Sequence, residues 1–235
     1  MEPQGRCIHI FISVSVICLD LLNLGEQIVK LEKANIDKLH IDVADGQFVP
    51  NFGLPIDILP TIKKFTDLPI EVHLMTINPE KFLDRIMDYG AESVLIHTEK
   101  LVSSFGYYKS FINEYGKRSL GIVISPGQKI NFDVICDAGI KKVTVMTVVP
   151  GFKGQPFVRD SLDIIKSLDH FRTAYSQNYI IEADGAVGFD TVNEILANGC
   201  DSFVLGSTMF RNGIIDINTI LRFKKIIQRQ RIVNL

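Results

Sequence analysis

Two histidines and two aspartates stand where short β-branched runs end, and together they could hold a divalent cation. His40-Ile41-Asp42 closes one run, and residues two apart on a strand share a face, so both side chains project the same way. Val72-His73-Leu74-Met75 adds a second imidazole, and Glu182-Ala183-Asp184-Gly185 a second carboxylate. Imidazole nitrogen and carboxylate oxygen suit Zn²⁺, and the same donors accept Fe²⁺, Mn²⁺ or Co²⁺. A lone His or Asp at a strand end is more often a hydrogen-bonded core group; four such residues at strand ends favour a metal centre. Asp42 and Asp184 come from separate strands, so they could address opposite faces of one carbon, one as base and one as acid. A cation held by His40, His73, Asp42 and Asp184 could stabilise the cis-enediolate left when a proton next to a carbonyl is removed.

Three loops add a second chemistry. Val149-Pro150-Gly151-Phe152-Lys153-Gly154-Gln155-Pro156, Gly185-Ala186-Val187-Gly188 and Gly206-Ser207-Thr208 are rich in small residues, which let backbone N–H groups approach an anion. One such loop is simply a tight turn. Three in succession late in the chain read as a phosphate cradle.

The elements that must position these groups recur along the whole chain. Strands are predicted near 9–17, 38–43, 70–75, 92–97, 119–124, 141–147, 179–184 and 202–206. Helical periodicity follows the first and third of them, in Leu21-Leu22-Leu24-Ile28-Leu31 and Pro79-Phe82-Leu83-Ile86-Met87. It precedes the seventh and eighth, in Leu162-Ile164-Ile165-Leu168 and Phe189-Val192-Ile195-Leu196. Asn35, Gly90, Gly116, Gly139 and Gly199 sit where a left-handed cap would end a helix. Strands buried on both faces with helices between them require parallel pairing and right-handed crossovers. Eight units without a linker predict an α/β fold, a single (β/α)8 TIM barrel over residues 1–235, with a doubly wound open sheet as the other possibility. Chemistry in such a barrel sits at the C-terminal strand ends.

Composition narrows the partners. The 235 residues carry 25 Lys+Arg against 27 Asp+Glu, a formal charge of −2, so no global positive field gathers nucleic acid or an anionic membrane. The basic cluster Lys224, Lys225, Arg229 and Arg231, interleaved with Ile226, Ile227 and Ile232, reads as an amphipathic closing helix. Cys7, Cys18, Cys136 and Cys200 form no CxxC pair and predict reduced thiols in a cytoplasmic protein. The apolar stretch from Ile8 to Val16 is broken by His9, Ser13 and Ser15 and lacks a small-residue cleavage site, so it reads as a strand and not as a leader. No 18-residue apolar run predicts a membrane span.

With these residues in view, the chain resembles the ribulose-phosphate 3-epimerase family. The likeness rests on Ser15 with Cys18-Leu19-Asp20, on the run His40-Ile41-Asp42-Val43-Ala44-Asp45-Gly46-Gln47-Phe48-Val49-Pro50-Asn51, and on Val72-His73-Leu74-Met75. It continues through Val145 to Gln155, Glu182-Ala183-Asp184-Gly185 and Gly206-Ser207, in order from about Ile12 to Phe210. The resemblance implies a barrel isomerase that inverts C3 of a phosphorylated ketose, foremost D-ribulose 5-phosphate to D-xylulose 5-phosphate. It implies one divalent metal on His40, Asp42, His73 and Asp184, with Asp42 and Asp184 doubling as acid and base. Ser15 and His73 would touch the sugar, and Met75 and Met146 would face the planar intermediate. Gly151, Phe152, Lys153, Gly154, Gly185, Ala186, Gly206 and Ser207 would surround the phosphate. Homo-oligomers are common in the family.

The chain also departs from the family pattern. Ala44 stands where Met is usual, Gln47 where His is usual, and the loop after Asn51 is about two residues shorter. Ala186 replaces a common Gly, a small change if its φ is negative. Cys18-Leu19-Asp20-Leu21-Leu22, Thr144 to Val148 and Gly154-Gln155-Pro156-Phe157 are closer to the D-allulose-6-phosphate 3-epimerase branch, and Ala44 would leave room for a hexulose. A lyase or decarboxylase on a related barrel would need Asp-x-Lys-x-x-Asp, whereas Asp42-Val43-Ala44-Asp45 has no Lys. A non-catalytic phosphosugar-binding barrel would not need the full acid, base and ligand set.

Overall fold

A computed structural model describes residues 10–101, 105–210 and 214–233. Eight strands run in parallel and close in chain order: β1 (Phe11–Ser15), β2 (Lys38–Ala44), β3 (Ile70–Met75), β4 (Ser93–His97), β5 (Leu120–Ile124), β6 (Lys142–Met146), β7 (Ile180–Asp184) and β8 (Ser202–Leu205). β8 pairs back onto β1, so no open edge remains among them. Helices α1 (Leu24–Lys33), α2 (Leu59–Ile62), α3 (Leu83–Asp88), α4 (Thr98–Leu101), α5 (Phe105–Tyr115), α6 (Phe132–Asp137), α7 (Ser161–Ala174), α8 (Val192–Ala197) and α9 (Ile217–Val233) lie between and after them. This is the predicted TIM barrel, and closure removes the open-sheet alternative. β1 is shorter than its predicted span because the chain tightens into a 3-10 turn at Val16–Cys18.

Alternation builds two environments. On β2, Leu39, Ile41 and Val43 belong to the apolar core outside the barrel, a cluster that also holds Ile28, Leu31, Ile165, Leu168 and Phe223 of the helices. The alternate residues His40 and Asp42 face inward. β3 repeats this, with Ile70, Val72 and Leu74 outward and Glu71, His73 and Met75 inward. The main core therefore lies between sheet and helices, while the barrel interior is free to carry polar groups.

Helix ends follow local chemistry. Asn35, Gly90, Gly116, Gly139 and Gly199 all have positive φ, between 51° and 98°. Asn131 caps α6 by accepting from Val134 N at 3.1 Å. In α9, Ile220, Phe223 and Ile227 are buried while Lys225 and Arg229 are exposed, as the amphipathic pattern predicts. Cys7 and His9, and the side chains of Arg231 and Ile232, lie outside the described residues. Cys18, Cys136 and Cys200 are free thiols. Among the described residues, no helix is long and apolar enough to cross a membrane.

Candidate active site

Strand register brings the four predicted ligands to one level of the barrel. Ser15 pairs with His40, Asp42 with His73, and Met146 with Asp184. His40 Nε2 stands 3.4 Å from Asp42 Oδ1 and 3.4 Å from Asp184 Oδ2. His73 Nδ1 stands 3.2 Å from Asp42 Oδ1 and 3.8 Å from Asp184 Oδ2. Four donors about 2.0–2.2 Å from one tetrahedral ion would stand about 3.3–3.6 Å from each other, and the observed spacings of 3.2–3.8 Å scatter closely about that range. His40 Nε2 is also buried with no hydrogen-bond partner, the state of a nitrogen that needs a ligand.

Groups behind the ligands hold them in place. His40 turns its other nitrogen to Glu71, with Nδ1 to Oε1 at 3.4 Å, which leaves Nε2 for the centre. His73 Nε2 lies 3.0 Å from His97 Nε2. Ser15 Oγ donates to Asp42 Oδ2 at 2.7 Å, so one carboxylate oxygen is anchored while Oδ1 faces the histidines. A second acidic group, Glu71 and Glu182 beside His40, is already neutralised by the Lys142 ammonium. Lys142 Nζ donates to both Glu71 oxygens at 2.6 Å and lies 2.7 Å from Glu182 Oε2.

Electrostatics separates the two carboxylates. Burial raises the pKa of both, but His40 and then His73 overcome it at Asp42 and hold that carboxyl well below the usual range. At Asp184 burial dominates, His40 offsets part of it, Asp42 adds to it, and the pKa is pushed up to about 6. His40 itself is fully buried, which disfavours its cation, yet Asp42 and Asp184 hold its pKa well above the ordinary value. Two carboxyl groups on one site with different proton affinities are the arrangement of an acid and a base.

A cavity of about 210 Å³ opens above this cluster at the C-terminal strand ends. It is lined by Ser15, Asp42, His73, Asp184, Met75 and Met146 and by the small-residue loops at Gly151 to Gly154, Gly185-Ala186 and Gly206-Ser207. Phe152 and Lys153 face it as well. His40 does not line it and reaches the cluster from beneath. Thr147 Oγ1 donates to Gly185 O and Thr208 Oγ1 to Val187 O, tying the loops together. Gly185 has φ 112°, and a Cβ there would fall 2.4 Å from Val148 Cγ2, so glycine is required.

Several groups escaped sequence reasoning. Asn51 Nδ2 donates to Gly151 O at 2.7 Å and joins the β2 and β6 loops. Asp45 binds Gln47 N and Phe48 N through Oδ1 and Ile77 N through Oδ2, all at 2.8 Å. Both residues lie within the His40–Asn51 motif, but nothing in their types announced these contacts. Ala186 requires a correction: its φ is 49°, not negative. The left-handed region costs a side-chain-bearing residue about 1–2 kcal/mol, against a smaller unfolded-state gain over Gly of about 0.4–1 kcal/mol. Ala186→Gly is therefore expected to raise stability by about 0.5–1 kcal/mol, read as a Tm increase of about 1–4 °C. An unchanged or lower Tm would show that the loop bears no such strain.

Comparison with known proteins converges on one family. A profile described as the Ribulose-phosphate 3 epimerase family matches residues 11–210. The Ribulose-phosphate 3-epimerase of Aquifex aeolicus is 32% identical over 198 residues, 83% of this chain and 87% of that protein. The protein of that name in Bacillus subtilis is 31% identical over 200 residues, 85% of this chain and 91% of its own. The chloroplastic Ribulose-5-phosphate-3-epimerase of Arabidopsis thaliana is 31% identical over 204 residues, 86% and 72% respectively. The crystal structure of KGPDC from Streptococcus mutans superposes with a TM-score of 0.67 at 13% identity, over 94% of this chain and 98% of that one, a likeness of fold alone.

Proposed function

Because the chain belongs to the ribulose-phosphate 3-epimerase family, we propose that it is an isomerase inverting C3 of a phosphorylated ketose, foremost D-ribulose 5-phosphate to D-xylulose 5-phosphate. The observation that carries this reading is the pair of carboxylates, Asp42 and Asp184, sharing one cluster with two imidazoles beneath a single cavity. In this reading residues 1–235 form one barrel domain, working in the cytoplasm as a homo-oligomer.

His40 Nε2, His73 Nδ1, Asp42 Oδ1 and Asp184 Oδ2 would hold the divalent cation, with Zn²⁺ best suited and Fe²⁺, Mn²⁺ or Co²⁺ acceptable. Such an ion supplies positive charge where negative charge develops on the substrate oxygens. One carboxylate takes the C3 proton, and the electron pair moves toward the C2 oxygen to give an enediolate. The other carboxyl delivers a proton to C3 from the opposite face, which inverts the centre and leaves the pair with its protons exchanged. Met75 and Met146 close the walls with polarisable thioethers and keep water from the planar intermediate. Backbone N–H groups of the glycine-bearing loops, with Lys153 beside them, receive the phosphate.

A hexulose phosphate is the second reading, supported by Ala44 on the cavity wall in register with Met75. A side-by-side assay on D-ribulose 5-phosphate and D-allulose 6-phosphate in D2O with defined metal separates the two. Deuterium at C3 of the preferred ketose is expected. Chelation should abolish the exchange and Zn²⁺ or Co²⁺ restore it. No exchange with either ketose in the metal-loaded protein would remove the epimerase assignment.

A further inference from the structure

We infer that His97 is a positioning residue that decides which nitrogen of His73 is free to meet a cation. The inference rests on the metal-centre reading above and deepens it. His73 and His97 stack with ring centroids 5.1 Å apart and 28° between planes, their Nε2 atoms 3.0 Å from each other. Two ring nitrogens at that distance share one proton, with one donating and the other accepting. Beyond them His97 Nδ1 lies 3.2 Å from Ser125 Oγ. Ser125 is held by its own N–H donating to Gln128 Oε1 at 3.0 Å, and Thr98 Oγ1 donates to the same oxygen at 3.2 Å. Phe48 covers the His97 ring at 4.6 Å, and the ring is 1% exposed, so its nitrogens depend on these partners.

The chain His73–His97–Ser125 has two senses. In one, Ser125 donates to His97 Nδ1, His97 donates from Nε2, and the His73 proton sits on Nδ1, spent on Asp42 Oδ1 at 3.2 Å. In the other, His73 donates from Nε2, His97 donates from Nδ1 to Ser125 Oγ, and His73 Nδ1 is bare. Only the second offers a lone pair to a cation. Both hold the same number of protons, so switching sense needs only tautomer exchange in the two rings and rotation of one hydroxyl. Ser125 suits the end of the chain because a hydroxyl donates or accepts equally well. This is also why a phenyl ring of similar shape cannot replace His97: it leaves His73 Nε2–H buried and unmet.

Zn²⁺ affinity, measured by competition against a chromophoric chelator, tests the inference, together with long-range proton–nitrogen spectra of the imidazoles. In the Zn²⁺-loaded wild type, His73 should carry its proton on Nε2. His97→Phe should weaken Zn²⁺ binding by about 10–100-fold while its metal-free Tm stays close to that of the wild type. His97→Gln, whose amide oxygen can accept from His73, should recover much of the loss. A folded His97→Phe protein within about 2-fold of wild-type affinity overturns the inference, since a ring that only filled space would give that result. Should His97→Phe not fold, Ser125→Ala asks the same question from the far end. There about 5-fold weakening is expected, and unchanged affinity overturns the inference. Wild-type protein that binds no Zn²⁺ even at millimolar concentration would instead sink the metal centre itself.

Discussion

Asp42→Asn and Asp184→Asn are each expected to lower interconversion of the two ketose epimers by about 10²–10⁴-fold, because in the proposed scheme either change would remove one of two proton-transfer groups. The amide is nearly isosteric, so the neighbours stay where they are: Ser15 against position 42, and His40 against both positions. An amide oxygen can still face the cluster, but it neither takes nor gives a proton. The two variants should also differ in a way that simple inactivation would not produce. A protein that keeps one carboxylate can still remove the C3 proton of one epimer and return a deuteron to the same face. Each variant should therefore exchange one epimer in D2O without converting it, and the two variants should choose opposite epimers. Metal content is measured alongside, so that a lost ligand is not mistaken for a lost base. Either variant interconverting the epimers at near the wild-type rate would contradict the two-carboxylate scheme.

The residues that this experiment targets were legible in the sequence for a physical reason. A strand end is a short stretch with a strict period of two, so His40 and Asp42 had to share a face once their strand was recognised. Eight apolar runs at regular spacing then left few ways to arrange them. The strand boundaries agree to within a few residues because β-branched runs end where the outward alternates stop meeting helices. The helix caps were equally plain, since Asn35 and Gly199 occupy a region that few other residues enter cheaply.

What remained hidden depends on long-range register. His97, at the end of β4, reads from sequence as a structural or supporting imidazole, but its partner His73 could not be named, because that pairing needs β3 and β4 side by side at a particular offset. Nothing in the types or local setting of Lys142, Glu71 and Glu182 announces that they meet. Only the closed barrel points all three at one spot. Gly121 shows the same dependence: a Cβ there would lie 2.5 Å from Leu95 Cδ2 and 3.3 Å from Lys142 Cβ, so its absence makes room first for Leu95 and then for the lysine stem. Ala186 failed for a different reason. Sequence alone does not report φ, and the chain accepts a left-handed alanine where the loop crosses the cavity wall.

Lys142→Met is expected to be the most destabilising of these substitutions. Glu71 and Glu182 are fully buried in the barrel floor, and Lys142 lies between them with three contacts of 2.6–2.7 Å. The ammonium is what makes two carboxylates tolerable there. Removing one partner of a buried ionic group costs about 3–5 kcal/mol, since the charges left behind keep their desolvation cost and lose their compensation. For a chain of this size that is a Tm fall of about 6–20 °C. In the wild type, burial raises the Glu71 pKa but Lys142 and Lys38 overcome it and hold it well below 4.5, while Glu182 and Glu71 overcome burial to raise Lys142 above 10.5. A depressed carboxyl stabilises the fold above its unfolded pKa, and a raised ammonium below its own, so Glu71 and Lys142 contribute fully between about pH 4.5 and 10.5. The variant loses that plateau. A proton taken up by Glu71 is then the nearest substitute for the ammonium, so stability should recover as pH falls from 8 toward 5, opposite in sign to ordinary acid destabilisation. Glu71→Gln and Glu182→Gln added to Lys142→Met should restore most of the Tm at pH 8, because a neutral floor has no charge to compensate. Since Glu71 also steadies His40 Nδ1, Lys142→Met should weaken Zn²⁺ binding as well, although position 142 touches no ligand. A Lys142→Met protein that melts within about 2 °C of the wild type at pH 8 would show that the floor carboxylates do not depend on the lysine.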